Sequence, residues 1–336
     1  MNGEVASRRR HEILSLLGVD LDLTADDAGL AEEFASVFGG RESEAASGAP
    51  RVATLVACLE RESSRPGYGM LQVEGDGLTD PAAFLLTFSS PSIPMRPLPS
   101  REPGVTLIGL GDDPEPLFVF FEGACLFRRV PRWRRVVSHV LFLRMLGLRR
   151  DALFFHAASL SLGGKGVLLV GPKGSGKTTL ALALACRGHG FLGDETACYL
   201  PATGELLPFR RPVGLKPGPQ AAAVAASLAR LRPAADEEGL VRIAVEKLLG
   251  PSTAAPARLA ALVFLRGFGS EPVLEPVTAG RGELADLQPL ASSLVNAPAS
   301  QRVFAMVRLV GGASCYRLTA GDADSTARKL EEVIFP

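Results

Sequence analysis

Cysteine is scarce in this sequence, and the arrangement of its cysteines argues against two classes of stabilised fold. The five cysteines are scattered and odd in number, and they form no C-x-x-C pair. We therefore expect neither a disulfide framework nor a structural zinc site, and the pattern favours a reducing compartment. Their positions are Cys58, Cys125, Cys186, Cys198 and Cys315.

Long apolar runs and an excess of charge of one sign are missing as well. No stretch approaches the ~18 uninterrupted apolar residues of a membrane-spanning helix, and residues 1–17 lack the apolar core of a signal peptide. The 36 basic and 36 acidic residues leave a net charge near zero, which argues against electrostatic capture of DNA or RNA. We therefore predict a cytoplasmic protein with no membrane partner and no nucleic-acid partner.

The 336 residues are enough for two modest domains, and the N-terminal half divides into two segments. The pattern of residues 1–50 predicts an N-terminal helix around residues 12–17 and then a flexible linker that ends in GRESEAASGAP. The pattern of residues 51–150 predicts a small β-rich α+β domain with a connecting amphipathic helix over residues 136–148. The strands expected there are GYGMLQVEG, AFLLTF, GVTLIGLG and PLFVFFEGACLF.

Residues 151–336 have the pattern of an α/β domain. The apolar run LAALVFL at residues 259–265 suits a strand that is buried on both faces of a sheet. A helix that begins at Lys177 is expected to stop at Gly188, because glycine commonly follows the last turn of a helix. The other expected elements are strands at residues 153–162, 167–170, 190–193, 303–310 and 315–318, and a closing helix at residues 323–335.

A glycine-rich loop carries the strongest chemical signal in the sequence. It matches G-x-x-x-x-G-K-[ST] and stands directly between an apolar strand and a helix. Glycines let backbone N–H groups wrap a phosphate, and the helix N-terminus adds positive charge at the same point. Lys177 can then reach the β- and γ-phosphates of ATP, and the Thr178 hydroxyl can ligate Mg²⁺. The nucleotide-binding candidates are Gly171, Pro172, Lys173, Gly174, Ser175, Gly176, Lys177, Thr178 and Thr179.

The motifs that the sequence lacks argue against two classes of nucleotide-binding protein. The sequence has no N-K-x-D motif, and the run at residues 259–265 is followed by Arg266 instead of an acid, which argues against a guanine-specific GTPase and a mechanical ATPase. The strand-then-acid feature closest after the loop is GFLGDE, which ends in Asp194 and Glu195.

A parallel strand at residues 190–193, beside the loop strand, would bring both carboxylates to the edge of the sheet where ligands bind. One of them could hold Mg²⁺, and the other could take the proton of an attacking hydroxyl. Two solvated acids in an exposed turn would give the same sequence, so this interpretation and the functional one both stay open at this point.

The run HAASLSLGGKGVLLVGPKGSGKTTLALALACRGHGFLGDE resembles the catalytic core of the HPr kinase/phosphorylase family. The shared features occur in order: His156, the loop, an Arg-Gly-His at residues 187–189 and the acid pair. The resemblance implies an α/β P-loop domain of the HPr kinase/PEP carboxykinase-like type, with ATP and Mg²⁺ as cofactors. It also implies a protein or peptide substrate with a hydroxyl acceptor, most simply Ser, and a homo-oligomer as one option.

The family's functional residues carry over to matching positions of this chain. The resemblance implies that Lys177 and the loop bind the triphosphate, that Thr178 and Asp194 bind Mg²⁺, and that the acid pair supplies the base. His156 is expected near the pair, where carboxylates favour the charged form of an imidazole, although a buried core histidine is the simpler interpretation of that residue alone. Glu195 stands where the family usually has a second Asp, so Asp194 is the preferred base.

Three hypotheses follow for the function. The first is a kinase related to HPr kinase that phosphorylates a hydroxyl of a protein or peptide. The second is an NTP-binding regulatory or scaffold protein with little catalysis, and the third is a small-molecule kinase.

Relatives encoded in peptide-modification gene clusters also share a proline-and-basic segment, here PFRRPVGLK. Arg210 and Lys216 in that segment are candidates for contact with phosphate or peptide, and a proline-stiffened surface loop is the alternative.

Overall fold

The computed structural model describes residues 9–39, 52–74, 94–121, 124–235, 239–250, 255–290 and 299–334. The chain forms two compact units, Met1–Arg149 and Arg150–Pro336. All five cysteines are free thiols. In the described part of the chain, no helix combines the length and the apolar character needed to cross a membrane.

The first unit contains an eight-stranded sheet in the order β1-β2-β3-β4-β8-β7-β6-β5. Its strands pair antiparallel except for β2 and β3, which run parallel. The strands are β1 (Arg10–Leu16), β2 (Val19–Ala25), β3 (Ala53–Glu60), β4 (Tyr68–Val73), β5 (Met95–Leu98), β6 (Thr106–Leu110), β7 (Pro116–Phe121) and β8 (Ala124–Arg128), and the helices are α1 (Ala28–Phe38) and α2 (Trp133–Leu148).

Two helices of the first unit are joined by aromatic packing and by one buried carboxylate. The rings of Phe38 on α1 and Phe142 on α2 stack with their centroids 4.1 Å apart. Asp27 caps α1 by accepting a hydrogen bond from the Gly29 amide at 3.0 Å. The same carboxylate accepts two hydrogen bonds from Arg134 of α2, at 2.7 and 2.8 Å, so one acid both starts α1 and ties it to α2.

The predicted helix at residues 12–17 is wrong, because this segment is strand β1. Its side chains alternate between the core and solvent: Leu14 and Leu16 are buried, whereas Ile13 is 57% exposed. Leu17 and Gly18 have positive φ angles of 54° and 75° and form the turn into β2. The expected linker GRESEAASGAP and the expected strand AFLLTF lie outside the described residues.

The second unit is built on a nine-stranded sheet, with one continuous path in the order β12-β10-β11-β17-β14-β13-β9 and with β19 pairing β17 and β18. A separate two-stranded sheet pairs β15 with β16. The strands are β9 (Leu153–Phe155), β10 (Ala158–Leu162), β11 (Lys165–Val170), β12 (Gly190–Gly193), β13 (Ala197–Leu200), β14 (Glu205–Leu207), β15 (Val213–Leu215), β16 (Val241–Ile243), β17 (Ala257–Phe268), β18 (Val273–Val277) and β19 (Ser314–Ala320).

Helices cover both faces of this sheet. They are α3 (Lys177–Cys186), α4 (Ala222–Leu231), α5 (Val245–Leu249), α6 (Arg281–Leu287), α7 (Ala299–Gly311) and α8 (Ala323–Ile334), with a 3-10 turn at Gln288–Leu290. Val167 and Leu169 of β11 pack in the core shared with α3, α4, α5 and α8, whereas Leu168 and Val170 pack in the core shared with α6 and α7. The second unit is therefore α/β, and the predicted strand at residues 259–265 is buried on both faces.

Two other predicted elements of the second unit are wrong. The expected strand at residues 303–310 is part of helix α7, whose buried residues Met306, Leu309 and Val310 follow a helical spacing. The expected strand at residues 153–162 is two strands, β9 and β10, because the chain leaves the ladder at His156 and Ala157. The His156 amide donates instead to the Leu290 carbonyl at 2.7 Å.

Candidate active site

The glycine-rich loop leaves β11 after Val170 and enters α3 at Lys177. Gly174 and Gly176 have positive φ angles of 86° and 90°, which favour glycine. A Cβ on Gly171 would lie 2.7 Å from the Ser175 hydroxyl and 3.2 Å from the Leu265 carbonyl oxygen, so a side chain there would require its neighbours to shift. The backbone of this loop is thus shaped by its glycines, as a close wrap around a small anion requires.

Lys177 folds back over that loop. Its ammonium group donates to the carbonyl oxygens of Gly171 at 2.7 Å and Pro172 at 3.0 Å. Burial lowers the pKa of Lys177, and the negative charges of Asp194 and Glu195 oppose that shift. The lysine is therefore a buried cation held by two neutral carbonyls, while two carboxylates lie near it and would repel an anion that arrived without a metal cation.

The strand before the acid pair is placed differently from the prediction. β12 does not lie beside the loop strand: it pairs antiparallel with β10, and β10 pairs antiparallel with β11. β12 therefore runs in the same direction as β11 but one strand away, and both end at the same edge of the sheet. A Cβ on Gly193 would lie 2.9 Å from the Phe209 carbonyl, so glycine is needed where the chain turns into the acids.

Asp194 meets the start of α3. The Thr178 hydroxyl donates to Oδ2 of Asp194 at 2.8 Å. The carboxylate is 2% exposed, and Oδ1 has no hydrogen-bond partner among the described residues. Burial, followed by the charge of Glu195, raises the pKa of Asp194 to about 6. This acid is therefore close to its protonation midpoint at a slightly acidic pH.

Glu195 has different surroundings from those of Asp194. Its backbone is left-handed, with φ of 58°, and its side chain is 47% exposed. Oε2 lies 3.3 Å from the guanidinium of Arg211, whose side chain is 8% exposed. The acid pair is thus one buried carboxyl and one half-exposed carboxylate with an arginine partner.

The arginine beside the acid pair is Arg211, whereas the sequence pattern favours Arg210. Gly193 forms a parallel bridge with Phe209, so the residues two positions further along, Glu195 and Arg211, come level. Arg210 points elsewhere: its Nε donates to the Phe191 carbonyl at 3.2 Å, and burial lowers its pKa. Only the pairing of two distant segments could have identified Arg211, because the sequence around it, FRRP, offers two equivalent arginines.

His156 lies near the acid pair, but the sequence argument about its charge is wrong. Nδ1 is 3.1 Å from the backbone carbonyl of Glu195, so the proton of the neutral ring belongs on Nδ1 and Nε2 is left as an acceptor. Burial, followed by the charge of Lys177, lowers the pKa of His156, and the charge of Glu195 only partly offsets this. The structure favours a neutral imidazole.

Other predicted residues occupy the rim of this region or a different place. Lys173 is exposed in the loop, Thr179 is half-buried in the first turn of α3, and Lys216 is exposed after β15. Arg187 and His189 do not face the loop, because both contact Glu331 of α8.

The region has two protein oxygens suited to Mg²⁺. Thr178 Oγ1 and Asp194 Oδ2 are already in contact, and the second oxygen of the buried carboxylate lacks a partner among the described residues. Mg²⁺ accepts one or two protein oxygens when phosphates and waters complete its shell. The described residues contain no group of three or more His, Cys, Asp or Glu side chains that could hold a metal ion, so an all-protein metal cage is not what they form.

Comparisons with known proteins find a likeness among solved structures. No family model matches this chain, and no curated protein matches it in sequence. Among solved structures, the chain is similar to the Hpr(Ser) kinase/phosphatase from Coxiella burnetii, with 14% sequence identity and a TM-score of 0.26. That match covers 55% of this chain and 99% of the other. A likeness of this strength carries no argument about function, which has to rest on the geometry of the site.

Proposed function

We propose that this protein is an ATP- and Mg²⁺-dependent kinase that transfers the γ-phosphate to a hydroxyl of a protein or peptide. The observation that carries the proposal is the contact between Thr178, at the start of α3, and the buried Asp194. It joins a glycine-rich anion-binding loop to a carboxyl group whose pKa is about 6. A nucleotide-binding protein without catalysis would use this carboxyl group for the metal alone, whereas a kinase also needs a group that accepts the proton of the acceptor hydroxyl.

The loop and Lys177 are assigned to the β- and γ-phosphates. Backbone N–H groups of the glycine-rich turn and the N-terminus of α3 favour negative charge there. Lys177 exchanges its bonds to the Gly171 and Pro172 carbonyls for bonds to phosphate oxygens, and it neutralises charge that grows during transfer. This exchange is favourable because a buried ammonium gains more from an anion than from two neutral carbonyls.

Thr178 and Asp194 are assigned to the metal. Mg²⁺, bound with the nucleotide, supplies electrostatic stabilisation of the transferred phosphoryl group. Thr178 offers a hydroxyl oxygen, and Asp194 offers the carboxylate oxygen that now accepts the Thr178 proton. The two side chains are fixed by α3 and by the end of β12, so little rearrangement is needed before binding.

Asp194 is also assigned as the base. The acceptor hydroxyl loses its proton to the carboxylate, its oxygen bonds to the γ-phosphorus, and the bond from that phosphorus to the β–γ bridging oxygen breaks to release ADP. Without metal, a pKa of about 6 leaves the carboxylate mostly ionised at pH 7, and bound Mg²⁺ would favour the ionised form further. Oδ2 is assigned to the metal, so the oxygen assigned to take the proton is Oδ1, which has no partner among the described residues. Arg211 holds Glu195 beside this group, and the neutral His156 keeps Nε2 available as an acceptor.

The acceptor class is taken from the sequence resemblance to the HPr kinase family. A serine hydroxyl on a protein or peptide is the expected substrate, and a small-molecule hydroxyl is the alternative. The cysteine pattern leads us to propose a cytoplasmic protein, and the resemblance leaves homo-oligomerisation as an option.

The proposal is tested by γ-phosphate transfer from radiolabelled ATP with Mg²⁺ to a panel of serine peptides and small alcohols. We expect Asp194→Asn to reduce the transfer rate by about 100-fold or more, because a general base contributes on that order. Glu195→Gln is the matched control and is expected to lose less. A larger loss in Glu195→Gln would move the base to Glu195, and equal transfer by wild type and Asp194→Asn would remove Asp194 from the mechanism.

A second candidate is an NTP-binding regulatory protein with little catalysis. It is supported by the deep burial of Asp194 and by the pairing of Glu195 with Arg211, since both limit access of an acceptor to the acids. Tight Mg²⁺-ATP binding by wild type, with no transfer to any acceptor and no ADP release, would favour this candidate over the kinase.

A further inference from the structure

Phe268 is an exposed aromatic residue next to the glycine-rich loop. It is the last residue of β17, its exposed fraction is 65%, and its ring lies 3.4 Å from the position of a Cβ built on Gly176. A phenylalanine that exposed gains little from burial, so packing alone gives no reason for an aromatic ring there. Its position beside Gly176 of the loop points to a role towards a molecule that the loop holds.

The order of the sheet indicates which part of that molecule reaches the ring. The acid pair follows β12, which lies on the β10 side of the loop strand β11, whereas β17 lies on the opposite side of β11. In the proposed reaction the γ-phosphate points towards the acid pair. A nucleotide is a linear chain of phosphates, sugar and base, so its nucleoside end extends away from the acids and towards the end of β17.

The backbone next to Phe268 is uncrowded, and the Phe268 side chain itself is exposed. The flanking Gly267 has a φ of 150°, and a Cβ built on it would meet no atom within 4 Å among the described residues. The guanidinium of the nearby Arg266 is engaged by the carboxylate of Asp286 and lies over the ring of Phe264. Arg266, the positively charged side chain nearest to Phe268 along the strand, is therefore already engaged by Asp286 and Phe264.

We propose that Phe268 is the stacking platform for the base of the nucleotide whose phosphates the glycine-rich loop holds. The proposal rests on the proposed nucleotide-dependent function and adds the subsite for the base. Every nucleobase has a π-face, and stacking on an aromatic ring discriminates weakly among bases. The site is therefore expected to accept adenine and guanine nucleotides with similar affinity, since the contact that carries the proposal is stacking and involves no base-specific hydrogen bond.

The test compares a ligand that has a base with one that lacks it. Calorimetry on the full chain with Mg²⁺ measures Kd for ATP, GTP and inorganic tripolyphosphate in wild type, Phe268→Ala and Phe268→Trp. We expect Phe268→Ala to weaken ATP and GTP binding about tenfold, a typical effect of losing one stacked base, and to leave tripolyphosphate binding unchanged. Phe268→Trp should retain nucleotide affinity, and its added indole fluorescence should respond to ATP but not to tripolyphosphate.

Phe304→Ala is the matched control, because Phe304 is another phenylalanine of the same unit, 69% exposed on α7. It should leave all three Kd values unchanged. Unchanged ATP affinity in Phe268→Ala, with wild type binding ATP, overturns the stacking proposal alone. Equal losses for ATP and tripolyphosphate overturn it as well, because they indicate damage to the loop. A wild-type chain that binds neither ligand overturns the proposed function and this inference together.

Discussion

The carboxyl group of Asp194 combines two properties that rarely occur together by accident. It is almost fully buried, and only one of its two oxygens has a partner among the described residues, the Thr178 hydroxyl. Burial and the nearby Glu195 raise its pKa to about 6, so the folded protein binds a proton at a pH where the unfolded chain does not. Buried ionisable groups with shifted pKa values concentrate at functional sites, where the protein gives up some folding stability for a group that can take part in a reaction.

Asp194→Asn is therefore expected to stabilise the protein above pH 6. A pKa raised from 3.8 to about 6 means that ionising Asp194 costs the folded state up to about 3 kcal/mol. In the wild-type protein, protonated Asp194 contributes its full stabilisation of the folded state below pH 4, and this stabilisation is lost as the pH rises through 6. The side-chain amide of the Asp194→Asn variant does not titrate in this range. Urea unfolding at pH 5 and pH 8 should show a larger gain for the variant at pH 8. A gain that is equal at both values, or a loss that grows with pH, would contradict the assignment.

At the scale of secondary structure, the helix that follows the loop is tied to the last helix of the chain. Glu331 of α8 accepts hydrogen bonds from Arg187 at 2.8 and 2.6 Å, and its Oε1 lies 2.8 Å from His189 Nε2. The hydrogen bonds from Arg187, followed by those from His189, lower the pKa of Glu331. The Arg-Gly-His that follows α3 thus has a structural partner, and Gly188 provides the positive φ of 95° between the two contacts.

A double-mutant cycle with Arg187→Ala and Glu331→Ala should give a favourable coupling energy of about 0.5–1 kcal/mol at pH 7, the usual range for a partly exposed ion pair. Because the pKa of Glu331 is lowered by its partners, the coupling is present above its ordinary value and is lost as the pH falls through the lowered one. Lys329 and Glu332, 3.9 Å apart on the same helix, serve as the control pair and should show a smaller coupling. A coupling that does not change between pH 7 and pH 3 would refute the electrostatic account.

At the scale of the whole molecule, every residue assigned to the proposed reaction belongs to the unit Arg150–Pro336. That unit has its own hydrophobic core on each face of its sheet. The first unit has a separate eight-stranded sheet and contributes no residue to the proposed chemistry. Surface loops and added domains commonly carry substrate choice, so we expect the first unit to affect the choice of acceptor more than the proposed transfer itself.

Residues 150–336 expressed alone are therefore expected to bind Mg²⁺-ATP with a Kd within about twofold of the full chain, a difference of less than about 0.5 kcal/mol. Calorimetry on both proteins measures this, and Lys177→Ala in each serves as the control that removes phosphate binding. If the fragment folds, as judged by circular dichroism, but binds ATP more than about tenfold more weakly, the first unit takes part in nucleotide binding and the assignment of the site to one unit is wrong.

Local patterns predicted much of the second unit, and they failed where two periodicities compete. The strand buried on both faces, the helix that begins at Lys177, and the closing helix α8 follow from apolar runs, glycines and helical spacing. The sequence favours a strand in place of helix α7 because the apolar residues of that helix include both a buried stripe and exposed members such as Phe304, which together look like a continuous strand. It favours a helix in place of strand β1 because seven residues are too few to distinguish alternation from a helical face.

The sequence by itself determined the loop, its glycines, the position of Lys177 and Thr178 at the start of a helix, and the presence of two adjacent acids after a short strand. These features are local, since each depends on neighbours along the chain. Only the tertiary structure decided which acid is buried, which arginine meets the other acid, that His156 is neutral, and that Phe268 stands beside the loop. Burial and charge proximity set those properties, and both arise when segments far apart in sequence pack together.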